Sequence, residues 1–258
     1  MLSISVEENP DFYNANHVFV PYCSSDLWSG NRPASFATGG WRFRGYRIVR
    51  SVITDLKNVS ITAEPNLADA KEVLFSGSSA GGGGVLANLD RVAYRLPNTV
   101  VRGVDDAGWV VDMDPFDPSL DPPTELAQGA QQFWHGRVDA GCAAANPFNK
   151  GLCYLEFAYP YIKTPLFIQM SQYDTALSKR LGLTLPFDTE EEKYADQLAK
   201  EMRKSLGDVE SAFSPATRTH SLLANDSFGV LSIEGYTLRE VLGNWFFNRS
   251  GPTKLIEK

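Results

Sequence analysis

The 258-residue chain has only three histidines and three cysteines, no excess of lysine and arginine, and no apolar run long enough to span a membrane. Each shortage removes a class of function. With 24 basic against 31 acidic residues, a net charge of −7 and a pI near 5.1, no cationic stripe is available to neutralise phosphates. That argues against nucleic acid and for a small or protein-borne neutral group as partner. The cysteines and histidines fall in no zinc spacing, which argues against a metal, and no organic cofactor is expected. The first residues, MLSISVEENP, have neither the basic region nor the apolar core of a signal peptide, so the sequence as written is expected to carry no export address. A hydrophobic content of 43% without low-complexity tracts suffices for one packed domain over residues 1–258.

What is present is a nucleophile motif. Residues 72–90 read EVLFSGSSAGGGGVLANLD, and Ser79 lies in Gly-x-Ser-x-Gly. Val73, Leu74 and Phe75 give a buried strand before the turn; Val85, Leu86, Leu89 and Val92 give an apolar helical face after it. Gly77 and Gly81, lacking side chains, let strand and helix approach closely while Ser79 takes a strained backbone that projects its hydroxyl. The glycine run could instead cradle a phosphate, but no Lys-Ser or Lys-Thr follows and no acidic partner stands at the dinucleotide distance. A structural loop with a surface serine is the plainer alternative.

Along the chain, apolar periodicity predicts strands at His17–Tyr22, Glu72–Ser76, Thr99–Val104 and Thr164–Met170. Helices are expected at Trp41–Leu56, from Ser79 to a stop at Pro97, and at Glu125–Trp134, Glu190–Leu206 and Tyr236–Phe247. This alternation indicates an α/β fold: a mostly parallel sheet with helices on both faces and active loops beyond the carboxyl ends of the strands. Asp112–Pro123, rich in Asp and Pro, reads as an irregular excursion over that edge and part of a lid.

A nucleophilic serine needs a base to take its proton and a carboxylate to orient that base. The order serine, acid, histidine removes His17, which lies upstream of Ser79. His135, on a helical pattern in QQFWHGRV, reads as a packed or surface histidine. His220, in the loop SPATRTHSLL, remains. Asp174 follows the strand PLFIQMSQ after a short turn, where the acid of this architecture emerges; its plain reading is a turn aspartate capping the next segment. Asp106, in RGVDDAGW, is the runner-up acid, better suited to a buried polar role beside the site. Cys142 and Cys153 flank a loop that one disulfide closes comfortably, which leaves Cys23 unpaired. Asn-x-Ser acceptor sites at Asn58, Asn225 and Asn248 lean toward the secretory route.

The blocks EENPDFYNANHVFVPYCSSDLWSG, SGSSAGGGGVLANLDRV, VRGVDDAGW, LFIQMSQYDTAL and SAFSPATRTH resemble Notum-type carboxylesterases, within the pectin acetylesterase group of α/β-hydrolases. The resemblance covers nearly the whole chain. It implies an α/β-hydrolase fold with Ser79, Asp174 and His220 as triad, the Ala80 N–H as an oxyanion donor, and an acyl pocket lined by Gly83, Val110, Tyr154, Leu155 and Ala176. It also implies a secreted, disulfide-bonded hydrolase that removes palmitoleate from a lipid-modified Wnt protein and so dampens Wnt signalling. The family's oxyanion loop, Gly-Gly-Trp-Tyr-Cys, is expected upstream of PYCSSD, where only Met1–Asn16 precede the corresponding strand. The chain is therefore expected to lack the N-terminal strands, that loop and the upstream partner of Cys23. Gly39-Gly40-Trp41 reads as a decoy for the loop. Two other functions stay open: a carbohydrate O-acetylesterase, and a non-catalytic relative that binds lipid or glycan.

Overall fold

In the computed structural model, which describes residues 1–58 and 65–258, five parallel strands form the central sheet. In chain order the elements are α1 (Gly45–Lys57), β1 (Glu72–Ser78), α2 (Ala80–Arg95), β2 (Val100–Asp106), α3 (Pro123–Trp134), α4 (Ala140–Ala145) and β3 (Leu166–Gln169). There follow α5 (Thr175–Arg180), α6 (Thr189–Ser205), β4 (Ala212–Ser214), α7 (Ser227–Val230), β5 (Ser232–Ile233), β6 (Tyr236–Thr237), α8 (Leu238–Phe247) and β7 (Lys254–Ile256). The sheet order is β1-β2-β3-β4-β7, and β5 and β6 form a separate antiparallel hairpin.

Parallel strands covered on both faces read as continuous apolar runs, and successive residues serve opposite layers. On β3, Leu166 and Ile168 enter one core with Leu86, Leu89, Leu198 and Met202, while Phe167 enters the other with Phe213, Leu238 and Leu242. Helices α2 and α6 therefore cover one face, and α7 and α8 the other. A third cluster, around Val138, Ala158 and Tyr154, packs beside the main body. There Cys142 and Cys153 are joined by a disulfide, as their spacing suggested.

Local chemistry sets the helix starts. Asp188 accepts from the N–H groups of Glu190 and Glu191 while Glu191 returns a bond to Asp188 N, a reciprocal cap for α6. Thr237 and Glu240 do the same for α8, so that helix begins at Leu238, and Tyr236 belongs to the hairpin. Helix α1 begins at Gly45 rather than near Trp41, because Phe43 bridges back to Arg32 and the buried Asp26 accepts from Gly45 N at 2.8 Å.

Two expectations fail. His17–Tyr22 is no strand: Val18 and Phe19 are 55% and 76% exposed, and among the described residues no neighbouring strand offers the ladder that an extended segment needs. Asp112–Pro123 is irregular as expected, but none of its residues lines the central cavity. It packs sideways instead, with Phe116 edge-on to Tyr194 and Asp114 O accepting from the Tyr194 hydroxyl. The loop is a strut, not a lid. Exposed Asn58, Asn225 and Asn248 keep their acceptor-site amides at the surface; Val59 and Ser60 of the first site lie outside the described residues. Among the described residues, no helix is long and apolar enough to cross a membrane.

Candidate active site

Strand register brings the candidate residues together. Ser78 is paired with Asp106, Asp106 with Gln169, and Gln169 with Phe213, so β1, β2, β3 and β4 reach one level side by side. The loops that leave this rank carry Ser79, Ala107 to Val110, Asp174 and His220. An open α/β sheet gathers chemistry at the carboxyl ends of its strands in this way.

Ser79 stands between β1 and α2 with φ 57° and ψ −117°, a conformation that costs a non-glycine residue of order 1–3 kcal/mol. The turn is held by Ser79 N donating to Asp106 O at 2.7 Å. Its tightness demands glycine at 77, where a Cβ would lie 2.3 Å from Gly81 O. Helix α2 starts at the next residue, so the Ala80 N–H faces the site from a helix N-terminus, the positive end of the helix dipole.

Asp174, 1% exposed, caps α5: Oδ1 accepts from Ala176 N at 2.9 Å and Leu177 N at 2.8 Å. Its other oxygen, Oδ2, lies 2.7 Å from His220 Nδ1. Capping and orienting thus use different oxygens of one carboxylate, and the two readings of Asp174 are compatible. The hydrogen bond that His220 Nδ1 donates to Asp174 raises the His220 pKa above its ordinary value, against the lowering effect of burial. His220 lines the same cavity as Ser79, and its ring is anchored through Nδ1 alone.

Asp106 joins the two halves of this arrangement. Its carboxylate accepts from Ser78 Oγ on β1 and from Leu222 N at 2.8 Å and Leu223 N at 3.3 Å, just beyond His220. One buried side chain thus ties the serine strand to the histidine loop. The adjacent Asp105 points to the opposite face, where Oδ1 accepts from Gly108 N at 2.7 Å and Oδ2 has no partner. Burial pushes its pKa up to about 8.

The triad candidates open onto a cavity of about 220 Å³. Gly83, Val110, Tyr154, Leu155 and Ala176, proposed from the resemblance, all line it. Leu27, Ala127, Ala130, Trp134 and Arg180 line it too and were not anticipated. Ala127, Ala130 and Trp134 follow i, i+3, i+7 spacing on α3, a helical stripe the sequence does contain. The Tyr154 hydroxyl is bound to Ser29 Oγ at 2.6 Å, and Trp134 meets the Tyr154 ring edge-on, which closes the apolar end. Gly39, Gly40 and Trp41 lie off the cavity, with Trp41 74% exposed. His17 and His135 are exposed surface residues away from it. Among the described residues no three His, Cys, Asp or Glu side chains converge as a metal site would require.

Three comparisons bear on this geometry. The Pectinacetylesterase family model matches residues 1–258. The palmitoleoyl-protein carboxylesterase NOTUM of Drosophila melanogaster is 35% identical over 254 residues, covering 95% of this chain and 37% of the relative. Its human counterpart is 34% identical over 263 residues, covering 95% of this chain and 51% of the relative. This chain therefore spans about half, or less, of the relatives it matches. A solved structure of the Wnt deacylase Notum from Drosophila superposes with a TM-score of 0.91 at 33% identity, covering 100% of this chain and 75% of that one. With strand-end serine, acid and histidine on the fold of these relatives, and a family match from first residue to last, the chain belongs to the pectinacetylesterase family.

Proposed function

We propose that the chain is a serine carboxylesterase that removes a palmitoleoyl ester from a lipid-modified protein of the Wnt type and so lowers Wnt signalling. The observation that carries this reading is the Asp174–His220 contact of 2.7 Å opening, with Ser79, onto one apolar cavity. Ser79 Oγ attacks the ester carbonyl as His220 Nε2 takes its proton, and Asp174 holds the Nδ1 proton in place. The Ala80 N–H, at the start of α2, donates to the oxyanion. His220 then returns the proton to the departing serine hydroxyl of the substrate, leaving an acyl-Ser79 ester. Water, deprotonated by His220, hydrolyses that ester and releases the fatty acid.

The cavity favours an acyl chain over a sugar. Its walls are mostly apolar, among them Leu27, Val110, Trp134 and Leu155, which suits hydrocarbon better than hydroxyl groups. The relatives, a palmitoleoyl-protein carboxylesterase and a Wnt deacylase, support the same substrate class. Secretion is part of the proposal, supported by the Cys142–Cys153 disulfide and the exposed acceptor asparagines. Membership in the pectinacetylesterase family favours a second reading, removal of acetyl groups from a glycan.

Purified chain assayed on p-nitrophenyl octanoate, a palmitoleoyl-serine peptide and acetylated pectin separates these readings. Hydrolysis of the first two, lost in Ser79→Ala, is expected. Preference for acetylated pectin would move the assignment to the glycan. Fatty-acid binding without turnover would make the chain a non-catalytic binder.

A further inference from the structure

The net charge of −7 conceals a local reversal. Between Asp26 and Asp55 the sequence holds Arg32, Arg42, Arg44, Arg47 and Arg50 and no acidic residue. Among the described residues none of these arginines enters an ion pair. Residues 33–41, between the first two, carry no charge at all. They form a closed loop rooted in an antiparallel bridge between Arg32 and Phe43, whose backbone groups exchange hydrogen bonds of 2.9 and 3.1 Å. Within the loop, Thr38 N and Gly40 N donate to Ser35 O, Gly39 N to Phe36 O and Trp41 N to Thr38 O. The buried Thr38 hydroxyl accepts from Ser35 N and donates to Trp41 O. Polar groups are thus consumed inside the loop, while Phe36 and Trp41 stand exposed on its outside.

We propose that this loop docks the protein on an anionic lipid surface, with Phe36 and Trp41 entering the boundary between headgroups and acyl chains and the arginines behind them meeting lipid phosphates and carboxylates. Aromatic rings on an uncharged tip backed by arginines match the two layers of a membrane interface, apolar within and anionic without. Internal pairing of the loop's backbone serves the same end, because an unpaired N–H or C=O is costly to carry toward hydrocarbon. A soluble polyanion would satisfy the arginines but leave both rings in water. The contact lies on the bilayer and does not cross it, in keeping with the lack of a spanning helix among the described residues. The loop also stands on the cavity wall: Asn31 N donates to Trp134 O at 3.0 Å, and Phe43 packs edge-on to Phe133 and beside Trp134. Docking therefore holds the apolar end of the cavity near a lipid surface, where long acyl chains partition. It does not depend on the ester chemistry at Ser79.

The test is co-sedimentation of the full chain with vesicles of phosphatidylcholine mixed with phosphatidylserine. Binding is expected, weaker to pure phosphatidylcholine and weakened by salt. Phe36→Ser combined with Trp41→Ser should lower partitioning about tenfold, the scale of losing one well-buried aromatic or two half-buried ones. Arg42→Gln should lower it about fivefold on the mixed vesicles and leave binding to pure phosphatidylcholine unchanged. All three side chains are exposed, so these variants should keep the fold, which circular dichroism checks. Lipids brominated on their acyl chains should quench part of the tryptophan fluorescence, and that part should vanish in Trp41→Phe, which keeps an aromatic anchor. Failure to sediment with the mixed vesicles, equal binding by the Phe36→Ser, Trp41→Ser chain, or quenching that survives Trp41→Phe would each overturn the proposal. So would capture by dextran sulfate in preference to vesicles with no dependence on the two aromatics, since the partner would then be a soluble polyanion.

Discussion

At its polar end the cavity is built from the ends of four strands, whose register sets where Ser79, Asp174 and His220 stand. At its apolar end no strand contributes: Leu27 comes from a loop, Ala127 and Ala130 from α3, and Tyr154 from a turn beside the disulfide. Hydrogen bonds fix atoms to a few tenths of an ångström, whereas packing fixes only volume. The first end should therefore fail sharply when one group changes, and the second should drift in specificity.

The sharpest way to probe the polar end is Asp174→Asn, which loses the carboxylate on His220 Nδ1. A fall of about 10⁴-fold in kcat is expected, the scale seen when a triad acid is replaced by its amide. The remaining activity should also show a moved pH profile. His220 must be neutral to act as base, and the Asp174 hydrogen bond raises its pKa. Activity in the intact chain thus falls as pH drops through that raised value, and without the bond the acid limb shifts to lower pH. An unmoved limb would separate Asp174 from the titrating group.

A smaller effect is expected at Asp106, which touches Ser78, Leu222 and Leu223 but reacts with nothing. Asp106→Ala leaves the Leu222 and Leu223 N–H groups buried without a partner, a loss of about 1–3 kcal/mol in denaturant unfolding. Displacement of the His220 loop by even about 1 Å would lower kcat roughly 100-fold. Unchanged kcat with lowered stability would make Asp106 purely structural.

The smallest effect belongs to the apolar end. Ala130→Leu adds bulk to the α3 stripe and should lower kcat/KM for octanoyl esters about tenfold while sparing acetyl esters, as expected when a pocket loses room for a methylene or two. Equal loss on both substrates would show that this wall does not hold the acyl chain.

The same contrast explains what was legible in the sequence. Ser79 is announced by a local motif because the turn needs glycine at 77 for a backbone reason. Asp174 and His220 follow from chain order and the scarcity of histidine, and the structure sets them 2.7 Å apart. The strand and helix alternation is equally readable, since its apolar periods reflect burial between two layers. His17–Tyr22 misled because alternation reports side-chain character and says nothing about whether a neighbouring strand exists. Asp112–Pro123 misled because composition marks a loop but not where it goes. The alanines of α3 were silent since a small residue lining a cavity looks like one filling a helix.

Brief exposure of the chain to p-nitrophenyl octanoate, followed by acid quench and peptide mass mapping, addresses the central claim most directly. An octanoyl group on Ser79, enriched in His220→Ala if deacylation slows more than acylation and absent from Ser79→Ala, is the predicted result. Ester hydrolysis that persists in Ser79→Ala, or an acyl adduct on another residue, would contradict the account.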